Sequence, residues 1–434
     1  MADYFSTWLP EGWDWVGWLV AAVIQAILLL HVIAVGAVVF IWLERKVAGR
    51  IQDRLGPTRT GGKFGWLQTL ADGIKLLGKE DLMPTDADSL LFKLAPYISL
   101  TASFAAFMAL PFASDWVGVR LNIGLFFILA VLGLEVFGVI LAGYGSGSKW
   151  SLFGGMRQAA QVVSYEVPLG ICVVVPVMIA GTMDLVTIGD QQAGLFSNWL
   201  FFHDPFCMIL FWVYFTCGIA SVNRAPFDLA EAESELVAGF LTEYSGIRWS
   251  LFFMAEYGSM FLVSGLAAIL FFGGWNGPIP IFFWVPEGNF PLETLANLVG
   301  LGNFMLKASI GVLVMMWVRW TLPRLRIDQV ITMCLKYCVP IAAFCFVGSL
   351  IWTAAHLPFL NDVLPMQARA DVREGWVQDI DDRMQRLEKR LATEAYELNS
   401  AVEGGPQQEA QVSDDIDAAD RVAAKSTRAQ EEAR

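Results

Sequence analysis

Charged residues are scarce in this chain: only 16% of its 434 residues are Asp, Glu, Lys or Arg, whereas 56% are hydrophobic. A soluble globular protein has about a quarter of its residues charged, so this composition excludes that class. Long apolar runs fill the sequence as far as Ala355, and their lengths suit a bilayer. The sequence therefore predicts an all-α polytopic membrane protein.

Patterns that bind metals or nucleic acids are also missing. The chain has three histidines, which lie far apart, and six cysteines, none of them in a Cys-x-x-Cys pair. Each cysteine lies in or beside an apolar run, where a buried and unreactive thiol is the ordinary case. A metal or iron–sulfur site needs clustered ligands, and no basic arm suggests nucleic acid. We expect no metal site and no redox centre in this chain.

Eight apolar runs are long enough to cross a membrane. At ~1.5 Å per residue, about 20 helical residues span the hydrocarbon core. The predicted spans are Trp15–Leu43, Leu91–Ala113, Leu121–Gly143, Ala159–Ala180, Phe206–Ser221, Trp249–Phe272, Phe304–Thr321 and Tyr337–Ala355. The membrane domain then covers residues 15–360, after an N-terminal outer segment of residues 1–14.

Lysine and arginine are distributed unevenly between the two sides. With the N-terminus outside, the outer side of residues 1–360 holds only Arg120 and Lys307. The positive-inside rule places the remaining polar loops in the cytoplasm. These predicted loops are 44–90, 144–158, 222–248 and 322–336. An even number of spans returns the C-terminus to the outer side. A bacterial cytoplasmic (inner) membrane is the predicted location, with the mitochondrial inner membrane as the alternative.

The first cytoplasmic loop contains an amphipathic segment. Its apolar residues share one helical face, and they are Trp66, Leu67, Leu70, Ile74 and Leu77. The segment is too short and too charged to cross a membrane. It lies either at the membrane interface or against the protein's own cytoplasmic side.

The composition changes after Pro365. Apolar residues recur with a 3-4 spacing between Val377 and Leu398, which predicts an amphipathic or coiled-coil soluble helix within 361–403. Residues 404–434 are polar, acidic and poor in aromatics, so this tail is predicted to be disordered.

Several carboxylates fall inside or beside the predicted spans. Glu135 lies in the third span, Glu166 at the start of the fourth and Glu256 in the sixth, while Glu44 closes the first. A carboxylate in a membrane is costly and therefore suggests function. The alternative is a structural pair with an arginine, and Glu44, at the predicted helix end, could simply face water.

The stretch from Asn223 to Tyr257 concentrates such residues between two apolar spans. It carries six acids: Asp228, Glu231, Glu233, Glu235, Glu243 and Glu256. If residues 228–240 form a helix, Asp228, Glu231 and Glu235 share one face. Glu231 and Glu235 would then be neighbours of like charge, which disfavours ionising both. Groups that gain and lose protons are what a relay needs, whereas the alternative is a solvated acidic loop.

Several motifs resemble those of a known family. EAESELVAGFLTEYSGIRWSLFFMAEY, ERKVAGRIQDRLGP, LQTLADGIKLLGKE, RQAAQVVSYEVPLG and RWTLPRLRIDQVITMCLKYCVP are similar to segments of the H subunit of NADH:quinone oxidoreductase (respiratory complex I). The resemblance covers about residues 15–355 in the family's order. Ile327 and the pair Arg248–Trp249 depart from the usual family pattern.

The resemblance implies a membrane subunit that forms the quinone access tunnel and couples quinone reduction to proton translocation. The implied tunnel and chamber residues are Glu44, Arg45, Asp72, Arg224, Phe227, Arg319 and Arg324. The implied proton path comprises Glu135, Arg157, Glu166, Asp228, Glu231, Glu233, Glu235, Glu243 and Glu256. A ubiquinone-type quinone is the implied substrate. Flavin and iron–sulfur clusters belong to partner subunits in the peripheral arm, and small and antiporter-like subunits are the implied membrane partners.

Two other functions stay open at this point. One is the membrane anchor of an energy-converting hydrogenase, which couples to protons without quinone. The other is a stand-alone ion transporter, which would show internal repeats; the sequence shows none.

The predicted tail helix gives a first test. If its apolar seam docks on a partner at the outer face, deleting residues 366–434 removes that buried contact and destabilises the assembly. The measurement is the yield and heat resistance of the intact complex on native gels. A truncated complex as abundant and as heat-stable as the full-length one would contradict the docking hypothesis.

Overall fold

The described part of the chain is built from helices and turns. The computed structural model describes residues 14–114, 116–278 and 290–355, and no strand occurs among them. Seven of the described helices are long and apolar enough to cross a membrane, which confirms the prediction of an all-α polytopic membrane protein. The predictions for the N-terminal segment before Asp14, the soluble helix within 361–403 and the tail of 404–434 lie outside the described residues.

Each of the eight predicted spans matches a helix. The helices are α1 (Asp14–Ile51), α2 (Gln68–Gly78), α3 (Ser89–Ala109), α4 (Gly124–Gly145), α5 (Lys149–Ala180), α6 (Leu185–Gln191), α7 (Pro205–Ser221), α8 (Gly246–Phe271), α9 (Phe290–Thr321), α10 (Ile327–Ile331) and α11 (Val339–Ala354). The π-helical turns of Thr332–Cys338 join α10 to α11, so that Ile327–Ala354 forms one span. Helix α7 has 17 residues and is shorter than the seven helices that are long enough to cross a membrane.

Consecutive spans run in opposite directions. At one end, the Asp88 N–H donates to the Gly145 carbonyl over 2.9 Å, so the start of α3 meets the end of α4. At the other end, the Gln192 side chain donates to the Ile269 carbonyl near the end of α8. We call the end where α3 begins and α4 ends the basic end. It also holds the ends of α1, α7 and α9 and the starts of α5, α8 and α10.

Three helices extend beyond the apolar runs that predicted them. α1 continues to Ile51 rather than ending near Leu43, α5 begins at Lys149 rather than Ala159, and α10 begins at Ile327. The 38 residues of α1 reach about 57 Å at the usual rise, which exceeds the ~30 Å hydrocarbon core. The loops at the basic end are therefore shorter than predicted, because polar residues continue the helices past the membrane.

The amphipathic segment forms α2, as predicted. Trp66, Leu70, Ile74 and Leu77 are each at least half exposed, so much of the apolar face is uncovered in the described structure. This exposure favours the membrane interface, or a partner, over packing on the protein's own cytoplasmic side. Trp66 is fixed differently, since its ring stacks on Trp42 of α1 with 4.1 Å between centroids.

A buried carboxylate caps α7 at the opposite end. Asp204 is fully buried and accepts hydrogen bonds from the Cys207 N–H at 2.6 Å and the Ser349 hydroxyl at 2.7 Å. Burial alone raises the pKa of Asp204, but the hydrogen bonds from His203, Ser349 and Cys207 outweigh it and lower that pKa. The ionised carboxylate is therefore the form that satisfies the first turn of α7.

Helices α3 and α4 pack closely where α4 has glycine. A Cβ atom at Gly138 would lie 2.9 Å from the Ser99 nitrogen and 3.1 Å from the Ala95 carbonyl oxygen. Both are backbone atoms of α3, so the two helices would have to separate to admit a methyl group.

This contact predicts a stability difference between two glycine substitutions. Gly138→Ala should lower thermal stability, since overpacking costs about 1–3 kcal/mol. Gly170→Ala is the matched control, because a Cβ atom there meets nothing within 4 Å in the described structure. Tryptophan fluorescence of the detergent-solubilised protein during heating measures both. Equal melting temperatures for the two variants would contradict the close approach.

Candidate functional site

A closed network of charged side chains lies inside the basic end. Glu44 of α1 is 6% exposed and is bonded to the Tyr257 hydroxyl, to Arg319 and, at 3.4 Å, to Arg224. Arg224 is 2% exposed, and its Nε lies 2.8 Å from a carboxylate oxygen of Glu256. Two guanidinium groups thus face two carboxylates, and the network is neutral when all four are ionised. We call these five residues the Glu44 network.

Arg224 holds the network together. It follows α7 in the chain, and its guanidinium lies 4.4 Å from the centre of the Tyr257 ring. Burial lowers the pKa of Arg224, but its interactions with Glu256, Tyr257 and Glu44 outweigh burial and raise the pKa well above its usual value. The arginine therefore remains a cation although it is buried.

A second polar feature lies beside this network. A small cavity has about 20 Å³ of space for water centres, enough for about one water molecule. It lies among α3, α4, the end of α7 and α8, and three carboxylates line it: Glu135, Glu231 and Glu256. Glu135 also accepts a hydrogen bond from the Ser259 hydroxyl. We call this space the acid cavity.

Glu256 belongs to both features. One of its carboxylate oxygens forms the ion pair with Arg224, and its side chain also lines the acid cavity. The described structure therefore connects the Glu44 network to Glu135 and Glu231 through a single side chain.

An apolar cleft of about 460 Å³ opens at the side of the helix bundle. Its residues come from α1, α3, α8 and α9: Leu28, His31, Val32, Ile33, Val35, Gly36, Ala37, Val39, Phe40, Phe107, Tyr257, Gly258, Phe261, Met305 and Ser309. Leu28, Val35 and Val39 are exposed on α1, so the cleft opens on the apolar outer surface. Its inner wall includes Tyr257, which is bonded to Glu44. We call it the lateral cleft.

Further ion pairs lie at the basic end, and three of them join residues that the sequence analysis singled out. Arg45 pairs with Asp72 of α2; Arg157 with Glu235 at 2.7 Å; and Arg324 with Asp228 at 3.1 Å. Phe227 is buried in the core. Pairing with an arginine, the alternative stated for the acids in the spans, therefore describes Glu44 and Glu256. Asp228 and Glu235, for which the stated alternative was a solvated loop, are also paired with arginines.

The expectation that Glu44 could simply face water is wrong. The expectation rested on a helix that ends near Leu43, whereas α1 continues for two more turns to Ile51. Glu44 consequently lies within the bundle, where a buried carboxylate needs the bonds that it forms to Arg224, Arg319 and Tyr257.

Residues 228–240 do not form the single helix that the sequence analysis considered. The segment instead contains one helical turn, Glu233–Leu236, and a 3₁₀ turn, Gly239–Leu241. Gly239 has φ +55°, and a Cβ atom there would lie 1.6 Å from the Ala230 carbonyl oxygen. The chain therefore folds back on itself at this glycine.

As a consequence, the predicted acids do not share one face. Glu231 lines the acid cavity, whereas Glu235 is exposed and pairs with Arg157. Glu166 is exposed on α5, and Glu243 is half-buried outside the residues that line the cavity. A part in a proton path stays a prediction for all nine residues of the implied path, including Glu166, Glu233, Glu235 and Glu243.

Some residues of the site were not predicted from the sequence. Tyr257, Ser259 and Asn223 carry its hydrogen bonds or line the acid cavity, and His31 lines the lateral cleft. Tyr257 and Ser259 follow Glu256 by one and three positions, so their proximity to an intramembrane acid was the available signal. Nothing in the sequence singles out His31.

These features define the class of the protein. It is a multi-pass helical membrane protein with a buried network of ion pairs at its basic end, beside an apolar lateral cleft. The described residues contain no group of three or more potential metal ligands. The location of redox centres in partner subunits stays a prediction.

Comparison with known proteins gives the family. A family model described as NADH dehydrogenase matches residues 24–350. The chain is 45% identical to the H subunit of NADH-quinone oxidoreductase from Anaeromyxobacter dehalogenans, over 79% of this chain and 85% of the relative. It is also 45% identical to the H subunit from Chlorobium luteolum, over 81% of this chain and 93% of the relative. An H subunit from Rhizobium meliloti is 45% identical over 69% of this chain and 88% of the relative.

The chain belongs to the H-subunit family of NADH-quinone oxidoreductase, which confirms the resemblance seen in the sequence. It is thus a membrane subunit of an oxidoreductase complex, and its partners are other subunits of complex I. The comparisons favour this family over a hydrogenase anchor or a stand-alone transporter.

The buried network predicts a large effect of removing its central cation. Arg224→Gln leaves Glu44 and Glu256 without their shared partner, and breaking a buried pair in this way costs about 3–5 kcal/mol. The amount of assembled complex and its melting temperature should fall sharply. Arg157→Gln is the control, since its partner Glu235 is half exposed and exposed pairs contribute about 0–1 kcal/mol. Equal stability of the two variants would contradict the account.

Proposed function

We propose that the lateral cleft admits a quinone from the bilayer and that the Glu44 network forms the inner boundary of its path. The size and lining of the cleft support this role. Pockets of ~300–1,000 Å³ with apolar walls and few polar groups suit small organic ligands, and the cleft has about 460 Å³. A lipid-soluble quinone has an apolar tail and a headgroup whose carbonyl oxygens accept hydrogen bonds.

The inner wall links the cleft to the Glu44 network. Tyr257 lines the cleft, and its hydroxyl is held by the Glu44 carboxylate. Reduction of a quinone to a quinol takes up two electrons and two protons. We assign the electrons to iron–sulfur clusters of partner subunits and the uptake or relay of protons to the buried acids of this chain.

The observation that supports a coupling role is that Glu256 both pairs with Arg224 and lines the acid cavity. Quinone chemistry next to the Glu44 network would change the charge that Arg224 and Glu256 experience, because Coulomb interactions are strong at short range in a poorly solvated interior. Glu256 also lines the acid cavity with Glu135 and Glu231, where one water molecule could bridge carboxylates. We infer that a proton moves between Glu256 and this cavity when quinone is reduced.

The wider assembly follows from the same proposal. The basic end faces the cytoplasm and receives the quinone-site and iron–sulfur subunits of the peripheral arm. The antiporter-like membrane subunits take up the coupled protons. The excess of Lys and Arg at this end supports that orientation.

The cleft gives a test of quinone entry. Ala37→Phe places a ring in the lateral cleft and should raise the KM for decylubiquinone about tenfold. Val23→Phe is the matched control, because Val23 is exposed on the same helix but does not line the cleft. Steady-state NADH:decylubiquinone kinetics in membranes measure both, and NADH oxidation by an artificial acceptor reports assembly. An unchanged KM for Ala37→Phe would refute entry through this cleft.

The acid cavity gives a test of proton relay. Glu231→Gln keeps the shape of the side chain but cannot carry a proton, so quinone turnover and proton pumping should fall at least about tenfold. Glu80→Gln is the control, since Glu80 is exposed at the same end of the bundle. Oxidation of NADH by an artificial acceptor should survive in both variants. Normal pumping by Glu231→Gln would remove this residue from the path.

A further inference from the structure

We propose that Arg248 and Asp81 form a latch that holds the C-terminal end of α2 on α8 and thereby positions quinone at the lateral cleft. Arg248 is in this sense a positioning residue, since it does not line the cleft. The inference rests on the proposed quinone function, and it concerns residues to which the family resemblance assigns no role.

The latch itself is a partly buried ion pair. Arg248 Nη2 lies 2.9 Å from Asp81 Oδ2, and the arginine side chain is 14% exposed. The guanidinium also lies over the ring of Phe92, 5.5 Å from its centroid. An ion pair that is shielded from water and supported by an aromatic face is stronger than a surface pair.

Backbone contacts close the same junction. The Ser245 hydroxyl donates to the Glu80 carbonyl at 3.3 Å and accepts from the Leu82 N–H at 3.4 Å. Gly246 has φ +58°, and a Cβ atom there would lie 3.1 Å from the Lys79 carbonyl oxygen. The residues that follow α2 are therefore held directly against the first turn of α8.

The other end of α2 is tied to α1. Trp66 stacks on Trp42, and Asp72 pairs with Arg45 while accepting a hydrogen bond from Gln68 at 3.3 Å. Helix α2 thus bridges α1 and α8. These are the two helices that supply most of the lateral cleft, and Trp42 lies within one turn of the cleft residue Val39.

Helix α2 depends on contacts at its two ends because much of its apolar face is uncovered in the described structure. Leu70, Ile74 and Leu77 are each at least half exposed, so they do not fix α2 on the bundle. Releasing the Arg248 pair would leave the C-terminal end of α2 held on α8 by the Ser245 hydrogen bonds and the close packing at Gly246. The spacing of α1 and α8 at the basic end of the cleft, and with it the fit of a quinone, would then be less well defined.

The chemistry of arginine suits this junction better than that of lysine. A planar guanidinium can stack on Phe92 and bond Asp81 at the same time, whereas an ammonium group keeps the charge but loses the stacking. We therefore expect Arg248→Lys to retain part of the function and Arg248→Gln to lose the latch.

Steady-state kinetics of the assembled complex in membranes test the latch, with decylubiquinone as the probe. Arg248→Gln and Asp81→Asn should each raise the KM about fivefold and change kcat less than about twofold. The double variant should be no worse than either single variant, because both remove one shared interaction. Arg248→Lys should give an intermediate KM. A general structural defect would instead lower kcat and artificial-acceptor activity together, and that outcome would overturn the proposal.

Arg120→Gln is the matched control. It removes an arginine–carboxylate pair of similar length, 3.0 Å to Asp184, at the opposite end of the bundle. Its KM should equal that of the wild type. A KM for Arg120→Gln that rises as much as that for Arg248→Gln would contradict a specific latch, as would additive effects of Arg248→Gln and Asp81→Asn.

The cleft variant separates failure of the latch from failure of the proposed function. If Ala37→Phe raises the KM while Arg248→Gln and Asp81→Asn do not, the latch is wrong and the cleft stands. If Ala37→Phe has no effect, entry through the cleft is wrong, and the latch that depends on it is overturned too.

Discussion

The structure depends on keeping Arg224 charged inside a membrane protein. An isolated guanidinium in such a place would be very costly, and its cost is offset only because Glu44 and Glu256 approach it from α1 and α8 and the Tyr257 ring lies beside it. The ion pairs therefore fix where α1, α8 and the segment after α7 meet. The lateral cleft and the acid cavity adjoin this point, so the same constraint positions both.

A neutral network of this kind is suited to respond to chemistry next to it. Its two carboxylates and two guanidinium groups balance, and any added or removed charge at the cleft disturbs that balance at short range. In the coupling that we propose, such a disturbance reaches the acid cavity through Glu256, since this residue contributes to both features. The coupling we propose requires no redox group in this chain, because charge and proton position alone carry it.

The fold was largely predictable, since the spans are encoded locally by apolar runs of the right length and α2 by its one-sided apolar face. The acids were predictable as candidates because a carboxylate in an apolar run is unusual. Their partners were not, because the pairs join distant parts of the chain: Glu44 and Arg319 are 275 residues apart. The shape of residues 228–240 was missed for a different reason. Their composition permits a helix, but Gly239 adopts a backbone conformation that lets the chain turn back onto Ala230.

The role of Glu256 is the central claim, and Glu256→Gln tests it most directly. Glutamine preserves the size of the side chain and can still bond to Arg224, but it cannot release or accept a proton. The decisive measurement is proton pumping coupled to NADH:quinone turnover in sealed membrane vesicles, alongside NADH oxidation by an artificial acceptor. The account predicts that pumping and quinone turnover are both lost while the artificial-acceptor activity remains. Wild-type pumping and quinone turnover in this variant would contradict it.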